Sequence, residues 1–436
     1  MSSVEPEFRL QQLEKENNRL RIAVEELSIL NEIATTISST NSLDRIVDLI
    51  VQKCIKHLKV EQGVVMLLHE EDESSPFQTM VRKADQSTMS RVLPFRLDSQ
   101  LTGWMLKHQQ PLVVNDFKAD SRFHTSPGDD LPIRSLLSVP LRLKGKMMGL
   151  LTVFNKKTPE GFSVEDQRLL SIIAAQSAQV IDNARMYENE KAFMRMQEQM
   201  KLAREIQLNL LPHSPPKIEG YSIAGFSVPA QEVGGDYYDF IPMDENRLAF
   251  CLGDVSGKGV PAAMLMANLQ ATLRGQTILD VLPHECLTRA NTLLHQSTDF
   301  QKFATLFYGI LDIQNHRLSF CNAGHDNPFL FSTAPKPARL NTGGTVLGFV
   351  KEFNYEESDT ELHPGDLLVI YSDGISEAMN MEEEEYGEER LSAVIQENRK
   401  AEPQELIDKI INSVRIYAGD APQMDDMTIV VLKRNS

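Results

Sequence analysis

Apolar residues recur every seven positions near the start of the chain. Leu10, Asn17, Val24 and Asn31 form one row, and Leu13, Leu20, Leu27 and Ala34 form a second. This a/d seam over residues 8–37, with "EKENNR" on its solvated faces, predicts a coiled-coil helix. Asn17 at an a position favours a parallel two-stranded pairing at some cost in stability. A single amphipathic helix packed on its own domain is the competing reading. Farther on, helical and strand-like spacing alternate. "SLDRIVDLIVQKCIKHL" (42–58) reads as a helix capped by Asn41 or Ser42, and "QGVVMLLHEE" (62–71) as a strand. "GWMLKHQQPLVVND" (103–116) is a helix that passes into a strand at Pro111. "SLLSVPLRLKGKMMGLLTVFNK" (135–156) reads as a hairpin turning at "KGK". A long helix opens at Ser163, with Asp166 in the position that a capping box gives to Glu or Gln. It continues through residues 186–212, where Phe193, Met196, Met200, Ala203 and Leu210 keep 3/4 spacing and Gln207 breaks it. Pro212, Pro215 and Pro216 end it.

Composition changes this picture little. A chain of 436 residues is too long for one core and predicts two or three domains. A net charge of −17 argues against a nucleic-acid binder. No run of about 18 apolar residues exists, so no membrane span is expected. The N-terminus lacks the pattern of a signal peptide. Cys54, Cys251, Cys286 and Cys321 show no CxxC spacing; three of them sit in apolar or strand-like runs and read as reduced core residues of a cytoplasmic protein.

The candidate chemistry lies in the last 220 or so residues. Asp236 sits in "EVGGDYYDFI", Asp254 ends "RLAFCLGDVSGKG", Asp373 ends "GDLLVIYSDG", and Asp425 and Asp426 precede "MTIVVLK". Each could simply cap a turn. Gathered together, such carboxylates would repel one another unless a cation neutralised them. All-oxygen ligands select Mg²⁺ or Mn²⁺ over zinc. Two such ions can activate a water and hold a phosphoryl group for in-line attack.

Two resemblances sharpen the reading. "LLSVPLRLKGKMMGLLTVFNK" followed by "FSVEDQRLLSIIAAQSAQVIDNARMYE" resembles the C-terminal half of a GAF domain, an α/β sensor with helices on one face of an antiparallel sheet. Asn155, Lys156, Phe162 and Asp166 match the Asn-Lys…Phe-x-x-x-Asp-Glu pattern of cyclic-nucleotide binders, but Gln167 replaces the Glu. The ligand expected there is an unidentified small molecule or protein. "VGGDYYDF…GDVSGKGVPAAMLMA…NAGHDNPFL…GDLLVIYSDGISEAMN…DDMTIVVLK" resembles the SpoIIE-like branch of the PPM family, relatives of protein phosphatase type 2C. "LAREIQLNLLP" matches the helix before that domain in RsbU-type regulators.

The resemblance implies an α+β multidomain chain. Its parts are a coiled-coil helix (1–40), a GAF domain (41–185), a signalling helix (186–215) and an αββα sandwich phosphatase (216–436). It implies two Mn²⁺ or Mg²⁺ ions held by Asp236, Asp254, the Val255 carbonyl, Asp373 and Asp425, with Asp426 a minor ligand or a support behind the ligands. Asp236, Asp254, Asp373 and Asp425 would carry catalysis through metal-activated water. The implied substrate is a phosphorylated STAS-type anti-sigma-factor antagonist; the heptad seam, separately, predicts a parallel homodimer. The type 2C arginine that grips phosphate has no equivalent near "FSVPAQEVGGD"; Lys258 is a candidate substitute and a solvated loop lysine the alternative. His325 reads as structural, and so does Asp239. "GGDYY" also resembles the signature of diguanylate cyclases, which would leave the later acids without a role. A non-catalytic signalling scaffold is the other alternative.

Overall fold

The computed structural model describes residues 42–68, 77–83, 99–122, 133–297 and 302–435, with helical positions interspersed between 9 and 31. Within the predicted seam, Leu10, Leu13, Leu20, Val24 and Leu27 are exposed. Ala34, like the rest of residues 32–41, lies outside the described residues. The chain divides into two compact units, Met1–Arg195 and Met196–Ser436.

The first unit is built on a five-stranded antiparallel sheet. Its elements in chain order are α1 (Leu43–Leu58), β1 (Val60–Leu68), β2 (Phe77–Lys83), α2 (Ser99–His108), β3 (Leu112–Val114), β4 (Leu136–Leu143), β5 (Lys146–Lys156) and the start of α3 (Val164–Leu208), whose residues from Met196 on belong to the second unit, and the strand order is β2-β1-β5-β4-β3. Alternation along β1 explains the layers. Val65 and Leu67 pack with Ile46, Ile50 and Cys54 of α1 and with Leu170 and Ile173 of α3. Val64 and Met66 face the other way, against Leu101 and Met105 of α2. Both faces of the sheet are therefore covered, where helices on one face alone were expected.

Local chemistry behaves as the sequence predicts at two turns. Lys144 and Gly145 both have positive φ, at 49° and 84°, and close the β4–β5 hairpin with two residues. The Asp166 amide donates to Ser163 Oγ at 3.2 Å, and the Ser163 amide donates to Asp166 Oδ2 at 2.9 Å, so an aspartate completes the capping box. Lys156 pairs with Asp166 at 2.7 Å, and the Asn155 side-chain amide donates to Glu61 at 2.8 Å. The residues of the nucleotide-like pattern are thus engaged with protein groups.

The second unit is a four-layer sandwich. One sheet has the order β13-β10-β9-β8-β7, with β14 on β10: β7 (Tyr237–Pro242), β8 (Arg247–Val255), β9 (Ala304–Asp312), β10 (Arg317–Ala323), β13 (Gly343–Gly344) and β14 (Ser358–Glu361). The other has the order β12-β11-β15-β16-β6: β6 (Tyr221–Val228), β11 (Phe329–Phe331), β12 (Ala338–Arg339), β15 (Leu367–Tyr371) and β16 (Met427–Arg434). Leu248, Phe250 and Leu252 of β8 meet Leu368, Ile370, Val430 and Leu432 between the sheets. The intervening Ala249 and Cys251 face outward onto α4 (Val260–Thr277) and α5 (Pro283–Ser297). On the far side, Val369, Ile429 and Val431 pack on α7 (Glu388–Glu397) and α8 (Pro403–Ala418); the short α6 (Asp373–Ser376) follows β15. This is the expected αββα arrangement. The four cysteines are buried and free.

Asp239 shows how tightly the sandwich is specified. Its carboxylate is fully buried on β7. Arg274 of α4 donates to both oxygens, at 2.7 and 3.1 Å, and the Tyr237 hydroxyl donates at 2.7 Å. The acid ties helix to strand, which is structural work. Replacing Arg274 with Ala leaves a buried carboxylate without its cation. Because Arg274 is half exposed and water can partly replace it, Arg274→Ala should cost about 2 kcal/mol. Urea unfolding of the full chain checks this; a midpoint equal to that of wild type would remove the structural role.

Candidate active site

Strand pairing gathers the acids at one edge of the sandwich. Tyr237 of β7 lies opposite Gly253 of β8, so Asp236 and Asp254, one residue farther, come side by side. Tyr371 of β15 pairs with Ile429 of β16, which brings Asp373 near Asp425 and Asp426. Ser372 locks this second pair of segments. Its hydroxyl donates to the Asp426 carbonyl at 3.0 Å and accepts from the Thr428 amide at 2.9 Å.

Two glycines let the sheets close on one another. A Cβ on Gly234 would lie 2.1 Å from Asp426 Oδ2, and one on Gly235 would lie 2.7 Å from the Val255 carbonyl oxygen and 3.1 Å from Asp254 Oδ1. The backbone before Asp236 therefore threads between the acids of the two sheets. Asp426 holds it there. Its Oδ1 accepts from Ala230 N at 2.7 Å, and its Oδ2 accepts from Gly235 N at 2.7 Å and Asp236 N at 3.2 Å. Gln207, in the last turn of α3, holds the same loop from its side chain. Its amide donates to the Gly234 carbonyl at 2.7 Å and accepts from the Gly234 N–H at 3.0 Å.

The electrostatics are strained. Burial, then the neighbouring Asp254, pushes Asp236 well above the usual carboxylate range; the Thr428 and Ser372 hydroxyls oppose this. Burial, then Asp373 and Asp425, pushes Asp254 up to about 7. Asp373 is raised by burial and by Asp425. Asp236 Oδ2 is buried and has no hydrogen-bond partner. A divalent cation fits this donor set: oxygen-only, negatively charged, and with one buried oxygen left over. Among the described residues, no three acids, histidines or cysteines converge into a ready-made cage. Binding would have to draw the side chains together.

The remaining candidates separate clearly. Lys258 Nζ lies 2.8 Å from Asp425 Oδ2. His325 is buried, its Nδ1 lies 2.9 Å from Thr305 Oγ1, and burial lowers it to about 4, so it is neutral near pH 7. The Asn322 side chain accepts from the His325 amide at 2.8 Å and donates to its carbonyl at 3.0 Å, fixing the turn. Ser372, Thr428, Gln207 and Asp326 were missed from sequence. Asp326 is raised to about 6 by burial, then by Asp373, Glu388 and Glu377. Ser372 and Asp326 adjoin motif residues, and Gln207 was visible only as a break in an apolar row.

Comparison with known proteins agrees with the division into units. A GAF domain model matches residues 40–182, and the model of Stage II sporulation protein E (SpoIIE) matches residues 244–435, starting just after Asp236. Phosphoserine phosphatase RsbU of Bacillus subtilis (strain 168) is 29% identical over 253 residues, which is 57% of this chain and 75% of RsbU. Protein IcfG of Synechocystis sp. is 29% identical over 264 residues, 54% of this chain and 42% of IcfG, so the match spans less than half of that relative. Among solved structures, the SiaA-PP2C domain of Pseudomonas aeruginosa covers 56% of this chain and 98% of its own, at 20% identity and a TM-score of 0.49. Residues 40–182 thus match the GAF domain family, and residues 244–435, within the unit that gathers the acids, match the SpoIIE family.

Proposed function

We propose that the chain is a metal-dependent serine/threonine phosphatase governed by its GAF domain. Its substrate would be the phosphoserine or phosphothreonine of a STAS-type anti-sigma-factor antagonist in a partner-switching pathway. One observation carries the metal dependence: several carboxylates are buried together, one raised to about 7 and one with an orphaned oxygen. A scaffold without catalysis leaves that cost without a return. The naming of RsbU as a phosphoserine phosphatase supports the substrate class.

Asp236, Asp254, Asp373 and Asp425 would hold two Mg²⁺ or Mn²⁺ ions, with the Val255 carbonyl assisting. When bound, such ions supply Lewis acidity to phosphoryl oxygens and lower the pKa of water. The chain does the rest. Asp426 and the two glycines set the backbone of Asp236. Ser372 ties the segment before Asp373 to the backbone of Asp426 and Thr428. His325, neutral and enclosed, shapes a turn and takes no proton at working pH.

Regulation would run through α3. Its early turns belong to the GAF core through Leu170, Ile173 and Ile181, and its last turn carries Gln207. A helix that shifts or rotates presents Ile206 or Leu208 in place of Gln207, and neither can bond Gly234. The seam of the N-terminal helix and exposed apolar residues of α3, such as Phe193 and Met196, favour a parallel homodimer as the moving part.

Three outcomes are expected. Asp254→Asn and Asp373→Asn should each lower Mn²⁺-dependent hydrolysis of p-nitrophenyl phosphate by about a thousandfold or more. Equal activity in wild type and both variants would sink the metal reading. The second concerns pH. A carboxyl whose folded pKa is raised binds its proton more tightly folded than unfolded, so stability falls as pH rises from the unfolded value, about 4, to the folded one. For Asp254 the upper limit is about 7. The metal-free protein should therefore melt at progressively lower temperature across that window, and excess Mn²⁺ should flatten the slope. A flat metal-free profile contradicts the raised carboxyls. Third, Gln207→Leu should raise the Mn²⁺ concentration for half-maximal activity about tenfold, as loss of a group that orients a ligand does, with little change in melting temperature. An unchanged Mn²⁺ requirement would separate Gln207 from the site.

A further inference from the structure

We propose that Lys258 serves two partners in turn: the Asp425 carboxylate while the acids hold no metal ion, and the substrate phosphoryl group once they do. The inference rests on the metal-dependent phosphatase reading above and assigns the phosphate-binding charge that reading lacks.

Position comes first. Lys258 sits between Gly257 and Gly259, both at positive φ (99° and 70°), just before the first turn of α4. The loop leaves β8 directly after Asp254 and Val255, so its lysine starts beside the acids. The ammonium donates to the Met424 carbonyl at 2.5 Å and pairs with Asp425 Oδ2 at 2.8 Å. Asp425, then the fields of Asp426 and Asp373, stabilise its charged form. In the absence of metal it acts as a local counter-cation.

The hold is exchangeable. Both side chains are close to half exposed, at 47% and 41%, and ion pairs open to water are weak. A divalent ion taken up by Asp425 would compete with the ammonium for the same oxygen. The charge balance then changes. Four carboxylates and two divalent ions neutralise one another, and Asp426 is already occupied by three backbone N–H groups. Lys258 is left as a flexible cation with no acid to serve, at the entrance of the α4 N-terminus, where backbone N–H groups favour anions.

Among the described residues, the strand approach to Asp236 and the cation nearest Asp326 offer no better candidate for the role. Residues 221–236, which include β6 and the strand approach to Asp236, contain no Lys or Arg. Arg339 acts on Asp326, but it is committed to Glu388 at 2.6 Å, to the Tyr371 hydroxyl at 3.0 Å and to the Phe329 ring at 3.9 Å. A phosphate monoester dianion arriving at the neutralised acids would meet the released ammonium, a compact point charge on a long stem.

The two halves predict effects of opposite sign, which a merely structural lysine would not give. The test uses the full chain with Lys258→Met and Lys258→Arg. Mn²⁺ affinity is read by calorimetry, and inorganic phosphate is the competitive inhibitor of p-nitrophenyl phosphate hydrolysis. Lys258→Met should bind Mn²⁺ roughly threefold or more tighter, because a competing cation is gone. It should also raise the phosphate inhibition constant and the KM about tenfold, with kcat within about threefold. Lys258→Arg should keep phosphate inhibition within about threefold of wild type. Unchanged or weaker Mn²⁺ binding in Lys258→Met overturns the proposal, and so does unchanged phosphate inhibition. If wild type itself binds no Mn²⁺, the metal reading falls and takes the exchange with it. If wild type binds Mn²⁺ and is active while Lys258→Met matches it in both measurements, only the role of Lys258 is lost.

Discussion

Mutual repulsion among buried carboxylates is the constraint on which the C-terminal unit turns. Two unit charges about 4 Å apart at an effective dielectric near 20 repel by about 4 kcal/mol. Burial first, and the neighbouring carboxylates second, lead Asp236, Asp254 and Asp373 to hold protons above the usual carboxylate range. A chain gains nothing from such an arrangement unless a cation or substrate repays it. The sandwich is what makes the gathering feasible. Asp236 and Asp254 come from adjacent strands of one sheet, and Asp373 and Asp425 flank adjacent strands of the other. The aromatic layer of Phe250, Phe307 and Phe320 between the sheets fixes how far apart those strand ends lie. Burial of rings of this size is worth several kcal/mol each, enough to outweigh the repulsion at the rim.

Asp426 resolves the same problem differently. Three backbone N–H groups take its two oxygens, so its charge is spent on holding a loop. A carboxylate so engaged is a weaker candidate for a metal than its neighbour Asp425, whose side chain meets a lysine at the surface. Adjacent identical residues in "DDMT" therefore do unlike work. Both precede β16, which begins at Met427, and they differ in what they meet: backbone N–H groups for Asp426, the Lys258 ammonium for Asp425.

What the sequence made legible follows interaction range. The Lys144–Gly145 turn and the Ser163–Asp166 capping box depend on residues within a few positions of one another, and both were readable. The strand-end acids were readable as a set because four similar local patterns repeated. Ser372, Thr428 and Asp326 were not, since their roles depend on partners more than fifty residues away or on burial alone. The apolar row of α3 misled in a specific way. Phe193 and Met196 fit the row yet are exposed, whereas Met200 and Ala203 are partly covered. Gln207 looked like slack in the pattern. It is instead the position where the helix changes from apolar packing to a polar grip on Gly234.

That grip bears on how a distant signal could matter to chemistry. Two hydrogen bonds to the backbone of one residue contribute about 1–3 kcal/mol together. On a two-state loop this corresponds to a shift in population of roughly fivefold to 150-fold. The amount suits a switch: large enough to govern how well Asp236 is placed, small enough for a change in helix position to reverse. A helix locked to the site by many apolar contacts would be sturdier and harder to release. A single carboxamide at the end of a continuous 45-residue helix concentrates the coupling in one geometry that rotation by one residue, about 100°, abolishes. Under the regulation proposed above, the GAF domain would need only to bias the phase of that helix.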